Sequence, residues 1–262
     1  KSYLPGYREF YEKRQFAPAA QALATSIQLL GQKVPFGTRL LFEAKNVPGF
    51  VLGLEVCEDV WAPLPPSTYA ALAGATVIAN LSASDVTVGK ADYCRLLCVS
   101  QSAKCVAGYL YSAAGPGEST TDLAWDGHAL VYENGTRLAE SMRFPLQGGF
   151  ITADLDLDHL RQERMRWTTF GDCVQAHRGQ LEGYRRIEIE LDVPADPVRL
   201  DRSIERFPYV PSDPARRDER CAEVYDIQVE ALRKRLAATG LKRVVIGISG
   251  GLDSRQVALV AV

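Results

Sequence analysis

A cysteine at the end of an apolar run is the first residue whose type and position suggest chemistry. Cys57 follows the run 51–56 and precedes Glu58 and Asp59. Nucleophiles are common at the carboxyl ends of sheet strands, and a thiol attacks an amide carbonyl when a nearby cation or base favours the thiolate. A free cysteine is also a usual component of an apolar core. The local sequence leaves both roles open for Cys57, and we assign the core role to Cys94, Cys98, Cys105, Cys173 and Cys221.

A second candidate is a short segment rich in glycine and serine near the end of the chain. Glycines let a backbone approach an anion closely, and N–H groups at a helix N-terminus favour phosphate. The hydroxyls of Ser249 and Ser254 can donate to phosphate oxygens, whereas Asp253 suits a metal or a ribose. A plain glycine turn is the alternative, and the Gly-Lys-Ser/Thr ending of a Walker loop is missing. This candidate phosphate loop consists of Gly247, Ile248, Ser249, Gly250, Gly251, Leu252, Asp253 and Ser254.

Apolar runs alternate with helical periodicity around these candidates. Strands are predicted at 51–56, 75–81, 105–111, 150–155 and 243–248. The stretch 123–134 predicts two strands around Asp126-Gly127, and a hairpin turn is predicted at 133–135. Helices are predicted at 68–73, capped by Ser67, at 91–104 and at 157–165. Strands separated by helices, followed by hairpins, favour an α/β sandwich with a mixed sheet.

Proline marks a boundary late in the chain. The segment 193–215 carries five prolines and little periodicity, which is typical of a linker. Asp213 and Pro214 then form a helix start, and Gly240 a helix end. We therefore predict a first domain at 1–192, a linker at 193–215 and the beginning of a second domain at 216–262.

Composition excludes several classes of protein. The chain has 262 residues, a formal net charge of −2 and 47% hydrophobic residues, so we expect a globular protein without general attraction to nucleic acid or anionic lipid. No apolar run is long enough for a membrane span, and the first residues lack the apolar segment of a signal peptide. Six irregularly spaced cysteines favour free thiols in a cytoplasmic protein and no metal site. Because Lys1 opens into patterned sequence and the last residues begin a helix, we expect a segment of a longer polypeptide.

The string G-L-E-V-C-E-D-V-W-A-P-L-P-P-S around Cys57 resembles the nucleophile segment of the nitrilase superfamily. Together with K-S-Y-L-P-G-Y-R-E-F at the start, it is similar to the glutaminase domain of the glutamine-dependent NAD synthetase family. The candidate phosphate loop resembles the S-G-G-x-D-S loop of N-type ATP pyrophosphatases. The resemblance implies a nitrilase-like α-β-β-α sandwich, incomplete at its N-terminus, followed by the start of a Rossmann-type domain related to the adenine-nucleotide α-hydrolases.

The resemblance also implies roles for individual residues. Cys57 matches the nucleophile, Lys1 the lysine that stabilises thiolate and oxyanion, and Glu12 a glutamate that orients this lysine. A general-base glutamate is expected upstream of Lys1, outside this chain. Lys90 stands where the family usually has arginine and would lose bidentate contact with a carboxylate. The residues matched to glutamine binding are Tyr7, Glu58, Ser84 and Lys90.

The implied activity is glutamine-dependent synthesis of NAD from deamido-NAD. The small-molecule partners would be glutamine, deamido-NAD and ATP with Mg²⁺, without a prosthetic group, in a homo-oligomeric enzyme that binds neither nucleic acid nor membrane. Three alternatives stay open: a stand-alone nitrilase-type amidase, an amidotransferase for another acid, and a non-catalytic fragment.

Overall fold

The computed structural model describes residues 1–7, 10–118, 123–194, 196, 198–202, 204, 207 and 209–262. The chain divides into two compact units, Lys1–Arg202 and Ser203–Val262. This division falls inside the segment 193–215 that the sequence marks as a linker.

The first unit is built on a seven-stranded mixed sheet, so the predicted α/β class is confirmed. Its strands are β3 (Leu40–Ala44), β4 (Val51–Val56), β5 (Val77–Ser82), β6 (Gly108–Ala113), β7 (Ala129–Glu133), β8 (Thr136–Glu140) and β9 (Arg185–Ile189). They lie in the order β8-β7-β6-β5-β4-β3-β9. The central strands β4, β5 and β6 are parallel, so their carboxyl ends meet at one edge. A separate hairpin pairs β1 (Ser26–Leu29) with β2 (Gln32–Pro35).

Helices cover one face of this sheet. They are α1 (Pro66–Leu72), α2 (Lys90–Cys105), α3 (Leu157–Arg166), α4 (Thr168–Ala176) and α5 (Arg178–Leu181). The core between α1, α2 and the sheet contains fully buried Leu41, Ile78, Tyr109 and Leu130. On the opposite face, the described residues leave the side chains of Leu54, Val56 and Leu81 exposed. The described part of this unit therefore contributes one helical layer and one large sheet to the predicted sandwich.

Two predicted element boundaries in the first unit are wrong. Ser67 does not cap the first helix, because Pro65 holds the cap position and the Ser67 N–H donates to the buried Glu55 carboxylate at 3.0 Å. Cys105, predicted to open a strand, ends α2 instead. The hairpin turn is confirmed, with Asn134 and Gly135 both at positive φ between β7 and β8.

The predicted strands at 150–155 and before residue 129 are irregular segments. In the segment 150–155, the Leu155 side chain packs on Gly108. A Cβ atom added to Gly108 would lie 2.6 Å from Cδ1 of Leu155. In the segment before residue 129, Gly127 N–H donates to the carbonyl of Ala114 instead of joining a ladder.

The second unit contains two helices, α6 (Pro214–Thr239) and α7 (Leu252–Ala261). The predicted start of α6 is confirmed, since the Asp213 carboxylate accepts from the Ala215 N–H at 3.1 Å, and Gly240 ends the helix at φ +70°. The predicted strand 243–248 is wrong: residues 241–249 are irregular. A strand needs a neighbour to pair with, and the described residues of this unit form only helices beside this segment. No helix of the described residues is long and apolar enough to cross a bilayer.

Candidate functional site

Cys57 lies in a tight turn at the carboxyl end of β4. It begins a 3₁₀ helix, Cys57–Trp61, and has a φ of +52°, which is unusual for a residue with a side chain. Its N–H donates to Oδ1 of Asn80 at 3.2 Å, at the neighbouring strand β5. The side chain is 8% exposed. The turn thus places a thiol at the sheet edge where polar side chains converge.

The Asp59 carboxylate ties the N-terminal segment to this turn. Its Oδ1 accepts from the N–H groups of Ser2 at 3.2 Å and Tyr3 at 3.0 Å, and its Oδ2 accepts from the Val56 N–H at 2.9 Å. Asp59 is almost fully buried. One side chain therefore fixes the segment that carries Lys1 beside the turn that carries Cys57.

Lys1 is paired with Glu12, as the resemblance implies for a glutamate that orients the lysine. The Lys1 Nζ atom lies 2.8 Å from Oε1 and 2.6 Å from Oε2 of Glu12, so both oxygens accept from one ammonium. Glu12 begins a short 3₁₀ helix, Glu12–Arg14. The lysine is the more buried partner, at 13% side-chain exposure against 31%.

Glu58 connects the predicted catalytic residues with the predicted glutamine-binding residues. Burial raises the pKa of its carboxyl, while a hydrogen bond from the Tyr7 hydroxyl at 3.1 Å and the positive charges of Lys1 and Lys90 oppose this rise. The negative charge of Glu12 raises the pKa further. Four predicted site residues thus act electrostatically or by hydrogen bonding on one carboxyl beside the candidate nucleophile.

Lys90 and Ser84 line a small cavity next to this group. Lys90 begins α2, donates to Oδ1 of Asp85 at 2.9 Å, and has its ammonium 5.6 Å from the centre of the Trp61 ring. The cavity has a volume of about 20 Å³, room for about one water molecule, and Asp126 and His128 also line it. Glutamine would therefore need more space here than this conformation provides.

The five other cysteines divide into two groups. Cys94, Cys98 and Cys105 belong to the main apolar cluster, so the core role is confirmed for them. For Cys173, which is half-buried on α4, and Cys221, which is exposed on α6, the core role is wrong. Neither α4 nor α6 buries any residue. The apolar residues in these helices therefore did not indicate that their cysteines are buried.

The candidate phosphate loop is assembled by local contacts in the second unit. Gly250 has a φ of +88°, and Gly251 occupies the cap position of α7. The Ser254 hydroxyl donates to the Gly251 carbonyl at 3.1 Å and lies 3.5 Å from the Ser249 hydroxyl. Asp253 lies in the first turn of α7. The segment is exposed, and two hydroxyls converge beside a helix N-terminus.

The predicted site residues therefore form two groups. Lys1, Tyr7, Glu12, Cys57, Glu58, Ser84 and Lys90 lie around the carboxyl ends of β4 and β5 in the first unit, whereas Gly247 to Ser254 lie in the second. Their roles stay predictions. Asp59 is a residue that the sequence reasoning missed, although its place in C-E-D at the end of a strand was a visible signal. In the described part of the chain, no group of three or more His, Cys, Asp and Glu side chains is arranged to hold a metal ion.

Known proteins are similar to the whole chain. It is 55% identical over 261 residues to the glutamine-dependent NAD(+) synthetase of Mycobacterium tuberculosis, in a match that covers 100% of this chain and 38% of that relative. Over its whole length, this chain matches one part of the glutamine-dependent NAD(+) synthetases. The Mycobacterium leprae member is 52% identical over 261 residues, and its match again covers 100% of this chain and 38% of the relative. The chain thus spans 38% of the length of these curated synthetases.

A family model and a solved structure are also similar to parts of this chain. The NAD synthase family model matches residues 224–262, a range that contains the candidate phosphate loop. A crystal structure of a glutamine-dependent NAD(+) synthetase from Cytophaga hutchinsonii is similar with a TM-score of 0.47 and 26% identity, and the match covers 56% of this chain and 23% of that chain.

Proposed function

We propose that the polypeptide containing this chain synthesises NAD⁺ from deamido-NAD, with glutamine as nitrogen donor and ATP as energy source. The observation that carries the proposal is the Asp59 tether, which holds the Lys1 segment against the Cys57 turn. A lysine beside a strand-end cysteine is what amide hydrolysis through a thioester requires.

At the first site, the Cys57 thiolate would add to the amide carbon of glutamine. The C–N bond breaks, the nitrogen takes up a proton and leaves as ammonia, and water then cleaves the thioester to give glutamate. The Lys1 ammonium, held by Glu12, would stabilise the negative oxygen of each tetrahedral intermediate. Proton transfer needs a carboxylate, which the superfamily resemblance assigns to a position upstream of Lys1.

Substrate recognition would fall to the side chains around Glu58. The Glu58 carboxylate can bind the amino group of glutamine, and Tyr7 orients that carboxylate through its hydroxyl. Lys90 offers a single cation for the substrate carboxylate, although Asp85 now occupies it. Ser84, at the edge of the same cavity, can donate a hydrogen bond.

At the second site, the loop from Gly247 to Ser254 would bind the pyrophosphate part of ATP. The positive φ of Gly250 and the N-terminus of α7 suit an anion that approaches the backbone. Mg²⁺ would arrive with ATP as part of the substrate. The carboxylate of deamido-NAD displaces pyrophosphate from the α-phosphorus, and ammonia then displaces AMP.

Ammonia must pass between the two sites without being protonated and lost to solvent, so we also propose an enclosed passage in the complete protein. The domain limits 1–192, 193–215 and 216–262, a homo-oligomeric assembly and a cytoplasmic location remain predictions.

The test uses the complete polypeptide in three assays: ammonia release from glutamine, NAD⁺ formation with glutamine, and NAD⁺ formation with added ammonia. Cys57→Ala should abolish the first two and spare the third. Ser254→Ala should spare the first and impair the other two. Cys173→Ala, a half-buried cysteine of the same unit, is the matched control and should leave all three rates near those of the wild type.

The alternatives give different results in the same assays. Ammonia release without NAD⁺ formation from either nitrogen donor would favour a stand-alone amidase, and activity with another carboxylate would favour a different amidotransferase. No ammonia release from the complete polypeptide would favour a non-catalytic role.

A further inference from the structure

A buried polar network lies directly beneath the Cys57 turn. Glu55, two residues earlier on β4, is 3% exposed, and its carboxylate accepts from the Ser67 N–H at 3.0 Å, from the Tyr109 hydroxyl and from Nδ2 of Asn80 at 3.4 Å. These donors are a backbone N–H, a hydroxyl and an amide, none of which carries a charge. Burying a carboxylate in this way costs more than burying an apolar residue of similar size. Its presence beside Cys57 therefore calls for a role beyond packing.

Asn80 links this carboxylate to Cys57. It is 1% exposed and lies opposite Glu55 in the parallel ladder between β4 and β5. Its Oδ1 accepts from the Cys57 N–H at 3.2 Å, and its Nδ2 lies 3.5 Å from the Cys57 carbonyl oxygen. Because a backbone N–H can only donate, Oδ1 must face Cys57 and Nδ2 must face Glu55. The acceptor oxygen of Glu55 and the donor N–H of Cys57 thus favour the same orientation of the Asn80 amide.

The Asn80 amide contacts a residue, Cys57, whose backbone conformation is strained. A φ of +52° is unfavourable for a residue with a side chain and persists only where the surroundings enforce it. The Cys57 N–H and carbonyl both meet the Asn80 amide, so one buried side chain contacts both peptide groups of the strained residue.

We propose that Asn80, oriented by Glu55, is a positioning residue that holds the Cys57 backbone in the conformation from which its thiol reacts. This inference rests on the proposed function, in which Cys57 is the nucleophile. Burial raises the pKa of Glu55, while its three hydrogen bonds favour the ionised carboxylate that accepts from Asn80.

The first test measures the reactivity of the thiol itself. Cys57 in the full chain is alkylated with iodoacetamide at a series of pH values, and modification is followed for the peptide that contains Cys57, which separates it from Cys173 and Cys221. Asn80→Ala should slow alkylation by about tenfold, the effect of one lost buried hydrogen bond at the reacting group. The double variant Asn80→Asp with Glu55→Gln keeps an acceptor for the Cys57 N–H and a hydrogen bond between positions 55 and 80, but it removes the donor to the Cys57 carbonyl and the acceptor for the Tyr109 hydroxyl. Its rate should therefore lie between the rates of Asn80→Ala and the wild type.

A matched control separates positioning from general loosening. Thr76 is equally buried, precedes β5, and bonds to the backbone at the opposite end of the same strands, accepting from Val51 N–H at 3.1 Å and donating to the Gly49 carbonyl at 2.6 Å. Thr76→Val should lower the melting temperature and leave Cys57 alkylation unchanged. Asn80→Ser replaces Asn80→Ala if the latter fails to fold. The proposal is overturned if Asn80→Ala reacts like the wild type, if the exchanged pair reacts as slowly as Asn80→Ala, or if Thr76→Val slows Cys57 as much.

A second readout distinguishes this inference from the proposed function. In the complete polypeptide, Asn80→Ala should lower kcat for ammonia release from glutamine by about tenfold and leave KM within about twofold. If the wild type releases no ammonia while Asn80→Ala still slows alkylation, the proposed function is wrong and the positioning role stands. If the wild type releases ammonia and Asn80→Ala matches it in both assays, the positioning role is wrong and the proposed function stands.

Discussion

The two candidate sites differ in the chain separation of the residues that build them. Around Cys57, Asp59 bonds to Ser2 and Tyr3, which are 57 and 56 residues away, and Tyr7 reaches Glu58 over 51 residues. In the phosphate loop, Ser254 bonds to Gly251 over three residues. The first site therefore exists only when its unit is folded, whereas the second follows from local backbone conformation.

Burial follows the same division. The turn at Cys57 and the carboxylate of Asp59 are buried, while Ile248 and Leu252 in the loop are exposed. A thiolate needs a nearby positive charge or base, which distant parts of the chain must supply, whereas backbone N–H groups bind phosphate best when they are accessible. Changes at the first site should affect stability and chemistry together, and changes at the second should affect nucleotide binding alone.

Removing the lysine should give the largest effect. In the complete polypeptide, Lys1→Ala is expected to lower kcat for glutamine hydrolysis by about 10²–10³, the range for loss of one group that stabilises an oxyanion. NAD⁺ formation from added ammonia should persist, since the loop at the second site is untouched. Lys13→Ala, an exposed lysine in the same short helix as Glu12, is the control and should behave like the wild type. Equal losses in both variants would show that charge in this segment, rather than the Lys1 contact, matters.

Replacing the tether should have a smaller effect on the same site. Asp59→Asn turns an NH₂ group toward at least one of the three N–H donors, which costs about 1–3 kcal/mol. We expect faster proteolysis within residues 1–25, a lower melting temperature and a loss of about tenfold or more in ammonia release. Asp92→Asn, at 86% side-chain exposure, is the control. An intact N-terminal segment in Asp59→Asn would mean that other contacts hold Lys1 in place.

The same contrast explains what the sequence could predict of the fold. The apolar run 51–56 and the Asp213–Pro214 helix start are local signals, and β4 and α6 begin where those signals predict. β9 was missed because its signal is weak: Arg185–Ile189 has only two apolar residues among five, and it forms a strand by pairing with β3 at the sheet edge. Its strand character comes from that partner. The segment 243–248 shows the converse, since its apolar residues have no neighbouring strand among the described residues of the unit and stay irregular.

For the site, local pattern indicated Cys57 and the phosphate loop, and family resemblance supplied Lys1, Glu12 and Tyr7. The place of Asp59 in C-E-D indicated a carboxylate at the strand end, but its partners could not be predicted, because they are backbone N–H groups that every residue carries. Asn80 left a weak signal as an amide inside the apolar run A-T-V-I-A-N-L, but its partner depends on the register between β4 and β5.

A substitution in the phosphate loop should impair the second site and leave the first site unchanged. Gly250→Ala introduces a side chain at φ +88°, which costs about 1–2 kcal/mol. We expect KM for ATP to rise by about tenfold while ammonia release from glutamine stays unchanged. Gly240→Ala provides a matched control, because Gly240 has a φ of +70° and open space around it but lies at the end of α6. If Gly240→Ala raises KM for ATP equally, backbone strain in the unit, rather than the loop, sets nucleotide affinity.

The smallest expected effect is a pH dependence confined to the buried site. Burial raises the pKa of Glu55 above its ordinary value of 4.5, so the folded chain keeps this proton at pH values where the unfolded chain has lost it. The contribution of Glu55 to the free energy of unfolding therefore falls as the pH rises from the ordinary carboxyl range through the raised pKa. Glu55→Gln removes this contribution, and the wild-type value minus the variant value, from urea denaturation, should decrease with rising pH. Glu182→Gln, at an exposed carboxyl of the same unit, is the control. A pH-independent difference for Glu55→Gln would mean that the buried carboxyl does not titrate differently on folding.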